Sequence, residues 1–286
     1  MNLFTTIFTT REQAIIIWVA VFLMWSLFQK NLRNSLAGLV RAFFQNKILA
    51  AFLMMVFYVG LTVYLLFRIH LWNIVLVKDT IFWIIGTAFI LFLNLNKAAE
   101  DKDYFKKILL DNLKFILILT FLINFYTLPL IIELITLPII VIIVAMSAYA
   151  GTKKEYLTAK KFADFILSAW GIFLIIYATT QILSNYQNFF ITDNFLAFLL
   201  PILLTLVLVP FLYGFAVYMT YESLFSRIDF LIGKNNKQLA SFGKRKILKT
   251  FILNLKKLNK FSKNSGAQLL KINNEEDLIA LIRQFA

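Results

Sequence analysis

The chain has 286 residues, of which 60% are hydrophobic and only 15% are charged. Soluble domains have roughly 45–50% hydrophobic and about 25% charged residues, so this composition predicts an integral membrane protein rather than a soluble domain. The absence of cysteine excludes disulfides and thiolate sites, and a single histidine, His70, argues against a histidine metal site, so we expect no metal and no cofactor.

The hydropathy pattern, taken along the chain, predicts an all-α bundle of seven membrane spans. The predicted spans are 13–28, 48–67, 80–95, 113–128, 134–151, 162–183 and 195–221. The first is short for a span, and an interfacial helix is the alternative interpretation. Basic residues follow it rather than precede it, which predicts a retained anchor and not a cleaved signal peptide. Asp79 and Thr80 supply the predicted N-cap of the third span.

The stretch from 113 to 151 predicts a transmembrane hairpin. It carries only Lys114 and Glu133 as charges and is nearly twice as long as the ~20 residues that cross a bilayer. Pro129 and Pro138 flank Glu133, and proline lacks the N–H that a helix needs, so we expect both to interrupt the run. The turn of the hairpin then holds Glu133.

The distribution of basic residues supports this count and predicts an orientation. With seven spans, all but three of the 29 Lys and Arg residues fall on one side of the membrane, the exceptions being Arg11, Arg68 and Lys78. The side rich in Lys and Arg is the cytoplasmic one. We therefore expect the N-terminus outside, the C-terminus inside, a membrane domain over residues 1–226 and a basic cytoplasmic tail over residues 227–286, which we call the tail.

Three polar residues in or beside the spans are candidates for gating or for a polar path: Glu133, Asn124 and Thr205. An ionisable or amide side chain in a membrane segment is costly and marks a functional site by default. Two of them have a structural alternative: Glu133 as a solvated turn carboxylate, and Asn124 as a partner in interhelical hydrogen bonding. Asp164, at the rim of the sixth span, is expected to pair with a neighbouring lysine.

The tail has the clearest pattern outside the spans. Between Gly243 and Phe261, apolar residues recur at helical spacing and predict one amphipathic helix. The residues expected to contact anionic lipid or a cytoplasmic protein partner are Lys244, Arg245, Lys246, Lys249, Phe251, Lys256, Lys257 and Lys260. Base-stacking aromatics are scarce, so nucleic acid is not expected as a partner. The last segment, with Asn274 as its cap, predicts a short helix that packs on the tail or on a partner.

No catalytic motif is present: the chain lacks H-E-x-x-H, G-x-S-x-G, Walker and G-x-G-x-x-G sequences. The abundance of Phe, Ile, Lys and Asn suggests a microbial source. We therefore expect a multi-pass cell-membrane protein that acts as an oligomeric channel, a pore or a membrane-perturbing effector. One alternative is a transporter component for an apolar or uncharged solute, and another is a lipid-modifying membrane enzyme.

Overall fold

The structure is a computed structural model that describes residues 8–99, 101, 103–111, 121–123, 125–184, 191–234, 236–270, 272 and 274–285. Regular secondary structure in these residues is entirely helical, which confirms the all-α prediction for the part of the chain described. The helices are α1 Thr10–Phe28, α2 Lys30–Phe43, α3 Asn46–Arg68, α4 Ile74–Leu93, α5 Tyr104–Asp111, α6 Leu130–Ala150, α7 Leu157–Ser184, α8 Thr192–Ile228, α9 Lys237–Phe251, α10 Leu255–Asn264, α11 Gly266–Leu269 and α12 Glu275–Phe285.

Six described helices, α1, α3, α4, α6, α7 and α8, are long and apolar enough to cross a membrane. Their surfaces carry large apolar side chains that are more than half exposed, such as Ile131 and Val141 on α6. A protein dissolved in water rarely exposes so much contiguous apolar surface. The fold is that of a multi-pass, membrane-embedded protein.

All six described long helices begin earlier than the sequence predicts, and capping side chains account for two of these starts. Helix α1 begins at Thr10, where Thr9 and Glu12 form a capping box. Helix α4 begins at Ile74 with Asn73 as its cap, so the prediction that Asp79 and Thr80 cap this helix is wrong. Helix α6 begins at Leu130, directly after Pro129, and not at residue 134. Most of the predicted fourth span, 113–128, lies outside the described residues.

Proline does not end the helices in which it occurs. Pro138 lies inside α6, and Pro201 and Pro210 lie inside α8. The prediction that Pro138 interrupts the run is therefore wrong. In α6 the missing N–H of Pro138 would leave the carbonyl of Leu134 without its usual donor, and the indole N–H of Trp18 donates to that carbonyl instead, at 2.9 Å.

Helix α2 was not predicted. Its apolar residues, Leu32, Leu36, Leu39, Val40 and Phe43, recur at helical spacing along one side, and Lys30, Arg33 and Arg41 lie among its polar residues. This is the composition of a helix that lies in a membrane interface rather than across it.

The chain forms two compact units. The first comprises Met1–Met54, Leu71–Lys78 and Leu113–Leu200, and the second comprises Met55–His70, Asp79–Asn112 and Pro201–Ala286. The tail helices α9–α12 belong to the second unit, together with the part of α8 that follows Leu200.

The tail is a small helical assembly and not one long helix. The predicted helix from Gly243 to Phe261 is split, because α9 ends at Phe251 and Asn254 caps α10 by accepting from the N–H of Lys257 at 3.1 Å. Its apolar residues face one another: Ile247, Phe251, Leu258 and Phe261 are fully buried.

The terminal helix α12 closes this assembly. Asn274 accepts from the N–H of Asp277, and Leu278 and Ile282 are buried against the tail, as predicted. Gly243 allows the close approach, because a Cβ at that position would lie 2.7 Å from Cδ2 of Leu278.

Candidate functional site

A buried ion pair joins the start of α1 to the start of α6. Arg11 donates to Glu133 from Nε at 3.1 Å and from Nη2 at 2.9 Å, and Glu133 is only 3% exposed. The carboxylate also accepts from the backbone N–H of Leu128 at 3.1 Å. Because Glu133 lies in the first turn of α6, the positive end of the helix dipole stabilises its charge as well.

Glu133 is therefore not a solvated turn carboxylate. Its oxygens are occupied by a guanidinium and a backbone N–H inside the protein. A buried carboxylate is tolerated only with such partners. Whether the pair takes part in gating stays a prediction.

Further polar contacts extend the pair into a network, which we call the Arg11 network. Nη1 of Arg11 donates to the carbonyl of Ile123 at 3.2 Å. The hydroxyl of Thr10 donates to the carbonyl of Leu128 at 2.6 Å. The carboxylate of Glu12 forms an ion pair with Lys78, with 3.1 Å between Oε2 and Nζ. The network thus ties the start of α1 to the segment before α6 and to residue 78, all within the first unit.

Another contact in the first unit joins the N-cap of α4 to the start of α8. The amide of Asn73 donates to Asp193 at 2.7 Å. The predicted topology places these two residues, like those of the Arg11 network, on the same side of the membrane.

Thr205 is fully buried in α8 and has two hydrogen-bond partners. Its hydroxyl donates to the carbonyl of Pro201 at 2.7 Å and accepts from the indole N–H of Trp83 at 3.2 Å. The hydroxyl thus both donates and accepts a hydrogen bond inside the protein. Asn124, the other candidate for a polar path, lies outside the described residues. Asp164 pairs with Lys160 at 2.6 Å, as predicted, and also accepts from Ser147.

The predicted contact residues of the tail divide into buried and exposed groups. Phe251 is buried and its ring packs against that of Phe261, so its side chain faces the interior of the tail. Lys244 pairs with Asp229 at 2.6 Å. The exposed cationic side chains are Arg245, Lys249, Lys256, Lys257 and Lys260, with Lys246 half-buried.

The tail is bonded to the second half of α8. The hydroxyls of Tyr213 and Tyr221 donate to the carbonyls of Leu253 and Ile252 at 2.7 and 2.8 Å. Six residues beyond Tyr221, Arg227 donates to the carbonyl of Ser262. A side chain on α8 thus holds each end of α10.

A cavity of about 360 Å³ lies beside α10 in the second unit. Its lining includes Asp101, Phe105, Tyr213, Lys256, Asn259, Lys260 and Lys263. Asp101 pairs with Lys107 at 2.5 Å, and this hydrogen bond, followed by one from the N–H of Asp103, lowers the pKa of the Asp101 carboxyl. The lysines of α10 give the cavity a basic wall.

No family model, curated protein or solved structure matches this chain.

The polar contacts described above are hydrogen bonds and ion pairs. No three His, Asp or Glu side chains among them could hold a metal ion together. Sequence reasoning did not identify Arg11 as a functional residue, because Glu12 offsets its charge locally. It also did not identify the two tyrosines on α8. A lone Arg beside an apolar run and a lone Glu in another could have indicated the ion pair, since each needs a partner.

Proposed function

We propose that the protein is a non-enzymatic channel or membrane-perturbing effector of the cell membrane, formed by several copies of the chain, whose tail contacts the anionic cytoplasmic leaflet. The observation that carries this proposal is the set of hydrogen bonds between α8 and the tail. Because both ends of α10 are fixed to α8, a force that acts on the tail also acts on the membrane helix.

The proposed topology has seven spans with the N-terminus outside. It puts the start of α1, residues 73–78, the turn before α6 and the start of α8 on one side of the membrane. The contacts of the first unit support this, since they join the start of α1 both to residue 78 and to residues 123–133, and Asn73 to Asp193. In this topology α4 leaves that side and the turn before α6 lies on it again, which is why the proposal includes one more crossing between them.

The exposed cations of α9 and α10 support contact of the tail with the leaflet. Each basic residue near an anionic surface contributes ~1 kcal/mol of attraction, which is about fivefold in the binding equilibrium. A cytoplasmic protein with an acidic surface is the alternative partner for the same residues.

Leakage of ions and small dyes from liposomes that contain the purified chain tests the proposal. We expect leakage in anionic vesicles and weaker leakage when Arg245, Lys249 and Lys256 are all changed to Glu. The matched control is Lys153→Glu with Lys154→Glu, at exposed positions before α7. Vesicles that stay tight at every lipid composition and voltage would overturn the channel. Leakage unchanged by the reversal in the tail would overturn its role.

One observation favours the alternative of a transporter for an apolar solute. A groove of about 430 Å³ runs between α6 and α7, and its lining is apolar except for Thr136. Uptake of an apolar dye without leakage of ions, abolished by Ile143→Trp, would support this function instead.

A further inference from the structure

Most large apolar side chains of the tail are buried, but one turn is an exception. Ile252 and Leu253, which join α9 to α10, are 65% and 63% exposed, and Leu248 one turn earlier is 44% exposed. We call these three residues the apolar turn. In the described part of the tail, Phe230 and Leu270 are the other large apolar residues exposed to this degree, at 63% and 65%.

The backbone of the turn favours a different residue. Ile252 has a φ of 45° and a ψ of −110°, a conformation that glycine adopts readily and a β-branched residue very rarely. Such outliers persist where the surrounding structure holds them, and they cluster at functional sites. An exposed isoleucine thus occupies a position where the backbone alone would favour glycine, which points to a use for its side chain.

Three carbonyls and one N–H of the turn are paired within the protein. The carbonyls of Ile252 and Leu253 accept from Tyr221 and Tyr213, and the carbonyl of Phe251 accepts from the N–H of Asn254 at 2.7 Å. The N–H of Ile252 donates to the carbonyl of Leu248 at 3.0 Å. A turn in water does not need this pairing, whereas backbone that enters an apolar medium does.

The position of the turn along α8 matches the edge of a bilayer. Tyr213 lies about 20 residues after the first residue of α8, and at 1.5 Å per residue this is about 30 Å, the thickness of the hydrocarbon layer. Tyrosine is enriched at that level. Lys249, Lys256 and Lys257 lie close to the turn in sequence, where they can reach lipid phosphates.

We infer that the apolar turn inserts into the boundary between headgroups and acyl chains of the leaflet, with Ile252 and Leu253 as the inserted side chains. This inference rests on the proposed function, because that proposal places the tail at the membrane surface. It adds a defined insertion point, so the leaflet contact is apolar as well as electrostatic.

Site-directed spin labelling tests the insertion, and the chain needs no background mutations because it contains no cysteine. Ile252→Cys and Leu253→Cys would be labelled in full-length protein in anionic nanodiscs, with Leu270→Cys as the exposed control. We expect collisions with oxygen to exceed collisions with a water-soluble nickel chelate at 252 and 253, and the reverse at 270.

Two outcomes would overturn the inference. Labels at 252 and 253 that collide mainly with nickel lie in water, and labels shielded from both reagents are covered by a second copy or another protein. Leakage measured on the same variants keeps the two proposals apart: leakage with both labels in water overturns insertion only, and inserted labels in a tight vesicle overturn the channel only.

Ile252→Gly provides a second readout that does not depend on labels. Glycine adopts the φ of this position without strain, so we expect the fold to be retained. Spin labels at 253 should then lose part of their oxygen accessibility. An unchanged label at 253 would show that Ile252 does not contribute to insertion.

Discussion

Two ion pairs, one in each unit, show how differently the same chemistry is used in this chain. Arg11–Glu133 and Lys244–Asp229 have N–O distances of 2.9 and 2.6 Å, yet the carboxylate side chain is 4% exposed in the first and 58% exposed in the second. Water competes for the second pair and not for the first. The comparison shows that burial, and not distance, identifies the pair on which the fold depends.

The largest expected effect comes from breaking the buried pair. Glu133→Ala leaves Arg11 without its carboxylate in a largely buried site, which costs about 3–5 kcal/mol of the free energy of unfolding. Thermal unfolding in detergent measures it. Asp229→Ala is the control, with an expected loss of about 0–1 kcal/mol.

A double variant sharpens this comparison. Arg11→Met with Glu133→Leu removes both charges, so most of the lost stability should return. Equal losses for Glu133→Ala and Asp229→Ala would contradict the distinction between the two pairs.

A smaller effect is expected at the indole that replaces a missing backbone donor. Trp18→Phe removes the hydrogen bond to the carbonyl of Leu134 and should cost about 1 kcal/mol. In a Pro138→Ala background the alanine N–H takes that carbonyl, so the same change should cost less. A cost that is identical in both backgrounds, measured by unfolding, would show that Trp18 does not act through this carbonyl.

The smallest expected effect is the pH dependence at Asp101. Because its pKa is lowered in the folded chain, the pair with Lys107 contributes fully above the unfolded pKa of about 3.9 and is lost as the pH falls through the folded value. The hydrogen-exchange protection of residues 103–107 should therefore stay constant between about pH 5 and 8 and fall at acid pH. Asp101→Asn should remove the change seen at acid pH, and its persistence would assign that change to another group.

Features set by neighbouring residues could be predicted from the sequence. The terminal helix α12 has its cap at Asn274 and its apolar residues at helical spacing, and both are local signals. The apolar runs likewise predict the six described long helices, although caps at Thr9 and Asn73 move their starts.

Features set by distant residues could not be predicted. Arg11 and Glu133 are 122 positions apart, and no sequence feature near either residue indicates that the other is its partner. The break between α9 and α10 contains no glycine or proline, and Tyr213 and Tyr221 of α8 hold it. The sequence shows the amphipathic pattern of the tail, but not that its apolar side faces other tail helices.

The packing of α12 over Gly243 has a consequence for biosynthesis. Residues 275–285 leave the ribosome after the six described long helices and after α9 and α10, and residue 285 follows the end of α9 by about 2–7 s at roughly 5–20 residues per second. During that interval Gly243 and the apolar residues beside it have no cover. A nascent chain therefore presents an unfinished apolar surface at the membrane, and chaperones have a short, defined period in which to recognise it.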